Sequence, residues 1–497
     1  MVYPPAAPGL PGQQPGVPHP SEGMAQPSPM VPWHKRRWVG IAVAVVGVGV
    51  IALAGLGIYG ILGYSLGPAT LILAIGTAVL PVPILLAFFW WLDRYEPEPR
   101  RYLAFAFGWG ACVATFAALI INSFGGEVIT GAGGSESTTA VLVAPPTEEF
   151  FKAVPLFVLL GLALTGRRQI NGVVDGIVYA GMSAVGFAFT ENVLYFGSAY
   201  LGDEEKNMPG GITALIVTFV LRGVFSPFAH PLFTTMTGVG VGLAARSRHT
   251  WVKIVAPIGG LALAVLLHGT WNLLASSQDF GVILTGYVLI MLPILIVMVT
   301  LAIVLRGREA KMVGHVLPVY AESGWFTAQE IAALTTMQSR RAGRQWARSI
   351  AGSIGAKAMS DYQFAATKLA IIRDSLARGI PNKEFATEER QLLATVDARR
   401  QYILQHARPG STMPWATTPA AYPPGHGGNY VSGSGSYPGP NYGSPNHGNS
   451  PNYGSSPNYG GSPNHGGGQV YNPTYYGGAQ HTGYQPHHAP GQQPDKY

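Results

Sequence analysis

The sequence Ala144-Pro-Pro-Thr-Glu-Glu-Phe-Phe-Lys152 places two carboxylates and an ammonium group in an apolar segment that continues to Leu164. The segment is long enough to cross a bilayer, where an ionised side chain costs roughly 3 kcal/mol even on lenient insertion scales. After a basic turn, a second apolar segment begins at Asp175-Gly176 and carries Glu191-Asn192 near its far end. Neighbouring membrane helices that carry several such costly groups indicate a polar site with a function.

The composition is that of a membrane protein. Of the 497 residues, 48% are hydrophobic and 11% are charged, against about 25% charged residues in a typical soluble domain. Long apolar runs recur between Trp38 and Leu305, and they exceed the length of barrel strands, so only helices satisfy their backbone groups in lipid. The sequence therefore predicts an all-α, polytopic membrane protein. The net charge of +7 comes from helix ends and from the region after Leu305, so it does not indicate nucleic-acid binding.

The distribution of Lys and Arg among the loops predicts eight membrane crossings with both termini in the cytosol. The predicted spans are Trp38–Ile61, Thr70–Leu92, Leu103–Asn122, Thr139–Leu164, Gly172–Tyr200, Phe228–Ala245, Lys253–Ser276 and Gly281–Leu305. The apolar segment Ile212–Val224 is shorter than the roughly 17 residues that a span needs, so we predict a half-helix that ends at the Ser226-Pro227 break. The bias towards Ala, Gly, Val and Arg and the lack of organelle signals favour the cell membrane of a bacterium.

Composition divides the chain into four regions. Residues 1–33 are rich in Pro and Gly and are predicted to be a disordered cytosolic segment, and residues 34–306 form the predicted multi-pass membrane domain. Residues 307–408 have the pattern of amphipathic helices, which predicts a cytosolic helical module, with a capping box at Thr327-Ala-Gln-Glu330. Residues 409–497 form a Pro/Gly/Tyr/Asn tail, predicted to be disordered, that either binds cytosolic partners or serves as a spacer.

Four polar residues on different predicted helices lie at a similar depth. Counted from the outer ends of their spans, two lie about nine residues in, one about eight residues in, and one near the start. At 1.5 Å per residue they fall within roughly 10 Å of one level, in the outer half of the bilayer. These residues are Glu148, Glu191, His230 and His268. Their shared depth predicts a single site.

Spacing along each helix supports one site. Glu148 and Lys152 are four residues apart and share a helix face, as do His268 and Asn272. Glu149 adjoins the first pair. Small residues precede Glu191 and allow close helix packing. They are Gly172, Gly176, Gly181 and Gly186.

These residue types suit hydrolysis of an amide by water. Clustered carboxylates in a low-dielectric site divide into acid and base roles. Alternatively, two histidines with carboxylates suit Zn²⁺, and a further glutamate activates water. Both routes remain open on the sequence. Nucleophilic attack by Ser226 near His230 is the less favoured route.

The motifs resemble those of the PrsW family of intramembrane proteases, within the superfamily of CAAX-processing and bacteriocin-processing membrane proteases. The resemblance covers roughly Pro81 to Arg306. The motifs are Glu-Glu-Phe-Phe-Lys at 148–152, Asp-Gly at 175–176, Phe187-Ala-Phe-Thr-Glu-Asn192, His230, His268-Gly-Thr-Trp-Asn272, and Leu92-Asp-Arg-Tyr-Glu-Pro-Glu-Pro99. Four of these motifs in the same order make the match specific.

The resemblance implies a role for each matched residue and a class of substrate. By it, Glu148 and Glu149 carry the activated water. Glu191, His230 and His268 are metal ligands or stabilise the transition state, and Asn192 and Asn272 orient them. Family members cleave anti-sigma factors from the outside, which implies a membrane-protein substrate of this kind.

Other interpretations compete with this one. A transporter or channel would use the same carboxylates as a proton or cation path, and an inactive family member would only bind partner helices. Lys152 is expected mainly to neutralise Glu148, and Asp175 to serve as a packing or helix-start carboxylate. Arg222 is expected to pair with a carboxylate or reach towards lipid headgroups.

Overall fold

The computed structural model describes residues 33–164, 170–204, 208–380 and 384–407. The predictions for the segment before Trp33 and for residues 409–497 lie outside these residues, as does the basic turn at Arg167 and Arg168. The described residues form helices and no named β-strand, which confirms the all-α fold class. The helices are α1 (Trp33–Leu66), α2 (Pro68–Val79), α3 (Val82–Leu92), α4 (Arg100–Gly108), α5 (Thr115–Gly131), α6 (Glu136–Leu142), α7 (Ala144–Leu164), α8 (Val173–Leu201), α9 (Ile212–Phe219), α10 (Ala229–Ala245), α11 (Thr250–Ser276), α12 (Phe280–Gly286), α13 (Leu292–Val316), α14 (Pro318–Glu322), α15 (Ala328–Leu334), α16 (Met337–Ala377) and α17 (Phe385–His406). Short π-helical segments at Trp109–Ala114, Val220–Phe225 and Tyr287–Met291 join α4 to α5, extend α9, and join α12 to α13.

Seven segments of the described chain are long and apolar enough to cross a membrane. They are Ala44–Leu66, Pro68–Leu92, Arg100–Gly131, Val173–Leu201, Ile212–Ala245, Thr250–Ser276 and Phe280–Glu322. Helix α7 differs because three of its residues are charged, but its 21 residues extend about 30 Å, the thickness of the hydrocarbon core. The multi-pass helical architecture is confirmed, and the eighth crossing stays a prediction.

The predicted span Thr139–Leu164 contains two helices in the structure. Helix α6 ends at Leu142 and α7 begins at Ala144, with Val143 in a turn between them. Pro145 and Pro146 explain the break. Proline disfavours helical geometry in the residue before it and has no N–H for the preceding turn, yet it fits the first turn of a new helix. The carboxylates of the motif therefore lie one turn inside their own helix.

Helix α8 lies at the centre of the membrane domain. Of its most apolar 18-residue stretch, 94% is buried by the surrounding helices. Gly176 has no room for a Cβ, which would lie 2.1 Å from the carbonyl oxygen of Gly238 on α10. A Cβ at Gly186 would lie 2.0 Å from the carbonyl oxygen of Phe107 on α4. These two contacts confirm that small residues bring other helices against the segment before Glu191.

The segment before α10 forms the predicted half-helix. Helix α9 and its π-helical extension run to Phe225, and the backbone leaves helical geometry at Ser226, with φ −124° and ψ 31°. Pro227 follows and cannot donate the N–H that a continuing helix needs. The break is confirmed, and the re-entrant position of the half-helix stays a prediction.

Helices α14 to α17 form a C-terminal module with a core that includes Leu369 and Val396. The capping box is confirmed, because Thr327 Oγ1 accepts from the Glu330 N–H at 3.1 Å and the Glu330 carboxylate accepts from the Thr327 N–H at 2.8 Å. The predicted boundary between residues 306 and 307 falls inside α13. A continuous helix, and not a linker, therefore connects the membrane domain to the module.

Candidate active site

A cavity of about 550 Å³ lies between α1, α5, α7, α8, α10 and α11. This volume is typical of a ligand pocket. Four of the five predicted catalytic residues line it: Glu148, Glu191, His230 and His268. Glu149, the fifth, is fully buried beside it. The structure thus brings together residues that are up to 120 positions apart in the chain, the separation of Glu148 and His268.

Glu149 is held by three donors. Its Oε1 accepts from Lys152 Nζ at 2.7 Å and lies 3.0 Å from His268 Nδ1, while its Oε2 accepts from Thr234 Oγ1 at 2.7 Å. An ionised carboxylate only accepts, so the contact with His268 places the imidazole proton on Nδ1. Glu149 therefore fixes the positions of Lys152 and His268.

Glu148 has the opposite surroundings. Its Oε1 accepts from Asn122 Nδ2 at 3.3 Å, but its Oε2 accepts no hydrogen bond from any described residue. That oxygen lies 3.5 Å from Lys152 Nζ and 3.7 Å from His268 Nε2. Because the proton of His268 is on Nδ1, its Nε2 carries a lone pair on the side of Glu148. Two acceptors thus face each other at 3.7 Å, an arrangement that a shared proton donor or a cation would satisfy.

Lys152 lies inside the cluster and is fully buried. Besides its contacts with the two glutamates, its Nζ lies 3.0 Å from His230 Nδ1 and 4.1 Å from the centre of the Phe187 ring. An ammonium group only donates, so His230 Nδ1 accepts. The predicted neutralising role of Lys152 fits these contacts, but Glu149 is its closer carboxylate partner.

His230 and Glu191 form a second pair. With Nδ1 as an acceptor, the proton of neutral His230 lies on Nε2 and is donated to Glu191 Oε2 at 2.7 Å. Arg222 donates through Nη2 to the same Glu191 oxygen, and through Nε to Asn192 Oδ1 at 2.9 Å. The Arg222 guanidinium also stacks 3.7 Å from the centre of the Tyr195 ring. The half-helix is thereby tied to α8 beside the cavity, and the prediction that Arg222 pairs with a carboxylate is confirmed.

Three of these residues could hold a metal ion. One ligand atom each of Glu148, His230 and His268 lies within 4.8 Å of the others. Glu148 Oε2 and His268 Nε2 are open acceptors, whereas both nitrogens of His230 are engaged, with Lys152 and with Glu191. The donor set therefore fits a metal ion once His230 gives up one of these bonds. The predicted ligand Glu191 is outside this group of three and is paired with Arg222.

Two predicted supporting residues have other surroundings. Asn272 lines the cavity, but its Nδ2 donates to the Ala140 carbonyl at 2.8 Å and so holds α11 against α6. Asp175 accepts from the Asn171 N–H at 2.7 Å at the far end of α8. It is 16 positions before Glu191, or about 24 Å along a helix. Asp175 is therefore a packing carboxylate apart from the site, as the alternative interpretation expected.

Sequence reasoning missed Thr234 and Asn122, which bond to the two glutamates of the motif. Thr234 is four residues after His230, so helical spacing could have identified it as a member of the same face. Asn122 stands at the end of a predicted span, where an amide is ordinary, and no sequence signal distinguishes it. The Ser226 hydroxyl, considered as a nucleophile, donates to the Leu221 carbonyl at 2.8 Å and is exposed.

A proline in α7 changes the backbone hydrogen bonding next to the Glu-Glu-Phe-Phe-Lys motif. Pro155 lies inside α7 and cannot donate to the carbonyl of Phe151, four residues earlier. The Trp109 indole N–H donates to that carbonyl at 2.9 Å, and the Ser183 hydroxyl donates to the next carbonyl, of Lys152, at 2.8 Å. Neighbouring helices therefore satisfy backbone groups that lipid would leave unpaired.

Comparison with known proteins identifies a family that this chain is similar to. Residues 98–298 match the family described as PrsW family intramembrane metalloprotease. Protease PrsW of Geobacillus kaustophilus is 26% identical over 211 residues, which cover 41% of this chain and 81% of that protein. Protease PrsW of Oceanobacillus iheyensis is 32% identical over 145 residues, or 29% of this chain and 58% of that protein. Protease PrsW of Clostridioides difficile is 28% identical over 221 residues, or 42% of this chain and 84% of that protein. No solved structure matches the chain.

Proposed function

Residues 98–298 belong to the PrsW family of intramembrane proteases, as the motifs predicted, and on that premise we propose that Glu148 is the general base for peptide-bond hydrolysis in the cavity. Glu148 Oε2 carries this proposal, because it is a buried acceptor that has no hydrogen-bond donor among the described residues and belongs to a residue that lines the cavity. A general base must reach the proton that it removes, and a water in the cavity would donate to this oxygen. His268 Nε2, 3.7 Å away, is a second acceptor for the same water.

The reaction has two proton transfers. Glu148 takes a proton from the water as the water oxygen attacks the carbonyl carbon of the scissile bond. The C–N bond then breaks, and Glu148 returns that proton to the leaving nitrogen. We assign stabilisation of the negative charge on the carbonyl oxygen to Arg222 and His230, two of the hydrogen-bond donors that line the cavity.

The family is described as a metalloprotease family, and the metal-free alternative remains part of the proposal. In a metal-dependent route, Glu148, His230 and His268 would hold Zn²⁺, which would supply Lewis-acid polarisation of the substrate carbonyl, and Glu148 would be a ligand instead of the general base. The Lys152 ammonium group lies within 3.5 Å of Glu148 Oε2 and competes with such an ion. In the metal-free alternative, Lys152 is the cation that keeps the carboxylates together.

We further propose that the site lies in the outer half of a bacterial cell membrane, with both termini in the cytosol. The loop charges and the family resemblance support this orientation. A membrane-associated substrate such as an anti-sigma factor fits it. Transport is less favoured because the cavity lining, among the described residues, does not include Asp175, the carboxylate that an inward path would use.

The test compares membrane-protein fragments in cells that carry the wild type, Glu148→Gln or Glu127→Gln. Glu127 is exposed on α5 and does not line the cavity, so its variant is the matched control. New N-termini are mapped by mass spectrometry after equal amounts of folded protein are confirmed. We expect fragments that end near a membrane boundary in the wild type and in Glu127→Gln, and their loss in Glu148→Gln. An unchanged set in Glu148→Gln would contradict the proposal.

A chelator arm separates the two mechanisms. Purified full-length protein is dialysed against a chelator and assayed on a substrate identified by these fragments. Loss of cleavage that Zn²⁺ restores supports the metal-dependent route, and full retention supports the metal-free route.

A further inference from the structure

Helix α1 forms a wall of the cavity although it precedes the stretch that matches the family, which begins at residue 98. Ile58 and Leu62 line the cavity from α1 and are only 2% and 1% exposed. They are four residues apart and so share one helix face. The face that α1 presents to Glu148 and Glu191 is therefore aliphatic.

The wall is fixed to the site by a hydrogen bond and by packing. The Tyr59 hydroxyl lies 3.0 Å from Thr190 Oγ1, and Thr190 precedes Glu191 in α8. Ile58 and Leu62 also pack in one cluster with Val193 and Phe196 of α8. A side chain that enters the cavity thus meets a wall that is bonded to the helix of a predicted catalytic residue.

Other apolar residues surround the same space. Leu119 of α5, Leu194 of α8 and Trp271 of α11 line the cavity. Glu148, Glu191 and the two histidines line the same cavity, so a peptide bond that faces them can place a neighbouring side chain against the apolar residues. A pocket of this kind discriminates by size, at about 10–200-fold in rate for one methylene.

We propose that Ile58 and Leu62 form the wall that limits the size of an apolar substrate side chain next to the scissile bond. The proposal rests on the proteolytic function proposed above, and it names residues that determine specificity. The substrate class that follows is a membrane-associated polypeptide with a small or medium aliphatic residue at the cleavage junction. Ile58 and Leu62 take no part in the chemistry.

The test uses the full-length chain and the fragment mapping described above, with Leu62→Ala as the variant. Removal of the isobutyl group enlarges the cavity, and we expect larger residues, such as Phe and Trp, to increase about tenfold among cleavage junctions. Glu148→Gln, analysed in parallel, identifies fragments that depend on the active site.

Leu66→Ala is the matched control. Leu66 lies one turn further along α1 in the same packing cluster, and it contacts Gly197 but does not line the cavity. It reports what the loss of a buried leucine does to folding and to total cleavage. The unfolding temperature of each variant is measured in detergent.

The outcomes separate the inference from the function on which it rests. A shift to larger junction residues in Leu62→Ala, absent in Leu66→Ala, supports the wall. The same junction residues in Leu62→Ala as in the wild type, or an equal shift in Leu66→Ala, would overturn it while leaving proteolysis intact. Absence of any Glu148-dependent fragment in the wild type would instead overturn the proposed function, and the wall with it. If Leu62→Ala does not fold, Ile58→Val is the second variant, with a smaller shift in the same direction.

Discussion

Adjacent glutamates in the motif have different surroundings and therefore different expected roles. Glu149 accepts three hydrogen bonds and is fully buried, whereas one oxygen of Glu148 accepts no hydrogen bond from the described residues. Successive helix residues point in directions about 100° apart, so neighbours in sequence face different partners. We infer that Glu149 positions the cluster and that Glu148 meets the substrate.

Substitution of each glutamate by glutamine separates these roles. Glu149→Gln removes the closest counter-ion of the buried Lys152, and we expect a loss of about 3–5 kcal/mol in the free energy of unfolding. Glu148→Gln should leave the unfolding temperature near that of the wild type and lower the cleavage rate about 10²–10⁴-fold. The measurements are thermal unfolding in detergent and cleavage of a substrate identified by fragment mapping. Equal destabilisation by the two variants would show that the roles are not divided.

At the scale of the helix, α7 depends on its neighbours for a backbone hydrogen bond. Pro155 leaves the Phe151 carbonyl without its usual partner within the helix, and Trp109 supplies the donor from the next helix. The turn that follows the Glu-Glu-Phe-Phe-Lys motif is therefore held by a side chain 42 positions away in sequence.

A double-mutant cycle tests whether Trp109 replaces the donor that Pro155 lacks. Trp109→Phe keeps most of the ring and removes the donor, so we expect a loss of about 1–3 kcal/mol in the free energy of unfolding. Pro155→Ala restores an N–H that can bond to the Phe151 carbonyl, so Trp109→Phe should cost less in that background. Unfolding of all four proteins is measured in the same detergent. Equal costs in the two backgrounds would mean that Trp109 stabilises α7 by packing alone.

At the scale of the whole molecule, the C-terminal module contacts the loop that joins α3 to α4. Lys368 donates to Glu96 at 2.8 Å, and Arg340 Nη1 donates to the Tyr95 carbonyl at 3.2 Å. Both residues of the loop belong to the Asp-Arg-Tyr-Glu motif, and both are buried. These contacts lie where the module packs against the end of the membrane domain.

Loss of the Lys368 ammonium should loosen the module. In Lys368→Met, Glu96 stays buried without its cation, which is costlier than the loss of an exposed pair. Lys357→Met is the control, because Lys357 is 76% exposed in its pair with Asp361 on the same helix. Limited proteolysis in detergent should cleave the module several-fold faster in Lys368→Met only. Equal rates in the wild type and in Lys368→Met would exclude Lys368 as a main contact.

The same loop predicts a pH dependence. Burial raises the pKa of Asp93 to about 8 and that of Glu98 to about 10, and repulsion from Asp175 and Glu96 adds to both shifts. Because both values lie above the ordinary ones, the folded state prefers the neutral forms. Their contribution to stability is complete below about pH 4 and is lost as the pH rises through 8 and then 10. Asp93→Asn should flatten the decrease between about pH 4 and 8 in thermal unfolding, and an unchanged profile would contradict this assignment.

Sequence reasoning found the helices and the members of the site, because hydrophobic runs define spans and depth groups Glu148 with His268. It did not find the break at Val143, where two prolines outweigh the apolar pattern. It also could not assign different roles to Glu148 and Glu149, since that difference depends on their hydrogen bonds with Asn122 and Thr234. The depth of a residue along its helix can be estimated from the sequence, but the rotation of one helix relative to its neighbours cannot.

Helix α13 gives the module a mechanical property. Ala302 packs in the core of the membrane domain and Val313, in the same uninterrupted helix, packs in the core of the module. A domain joined by a flexible linker would adopt many orientations relative to the membrane helices, whereas a domain joined by a continuous helix keeps one. A partner that rotates the module would therefore transmit this movement through α13 to the helices around the cavity.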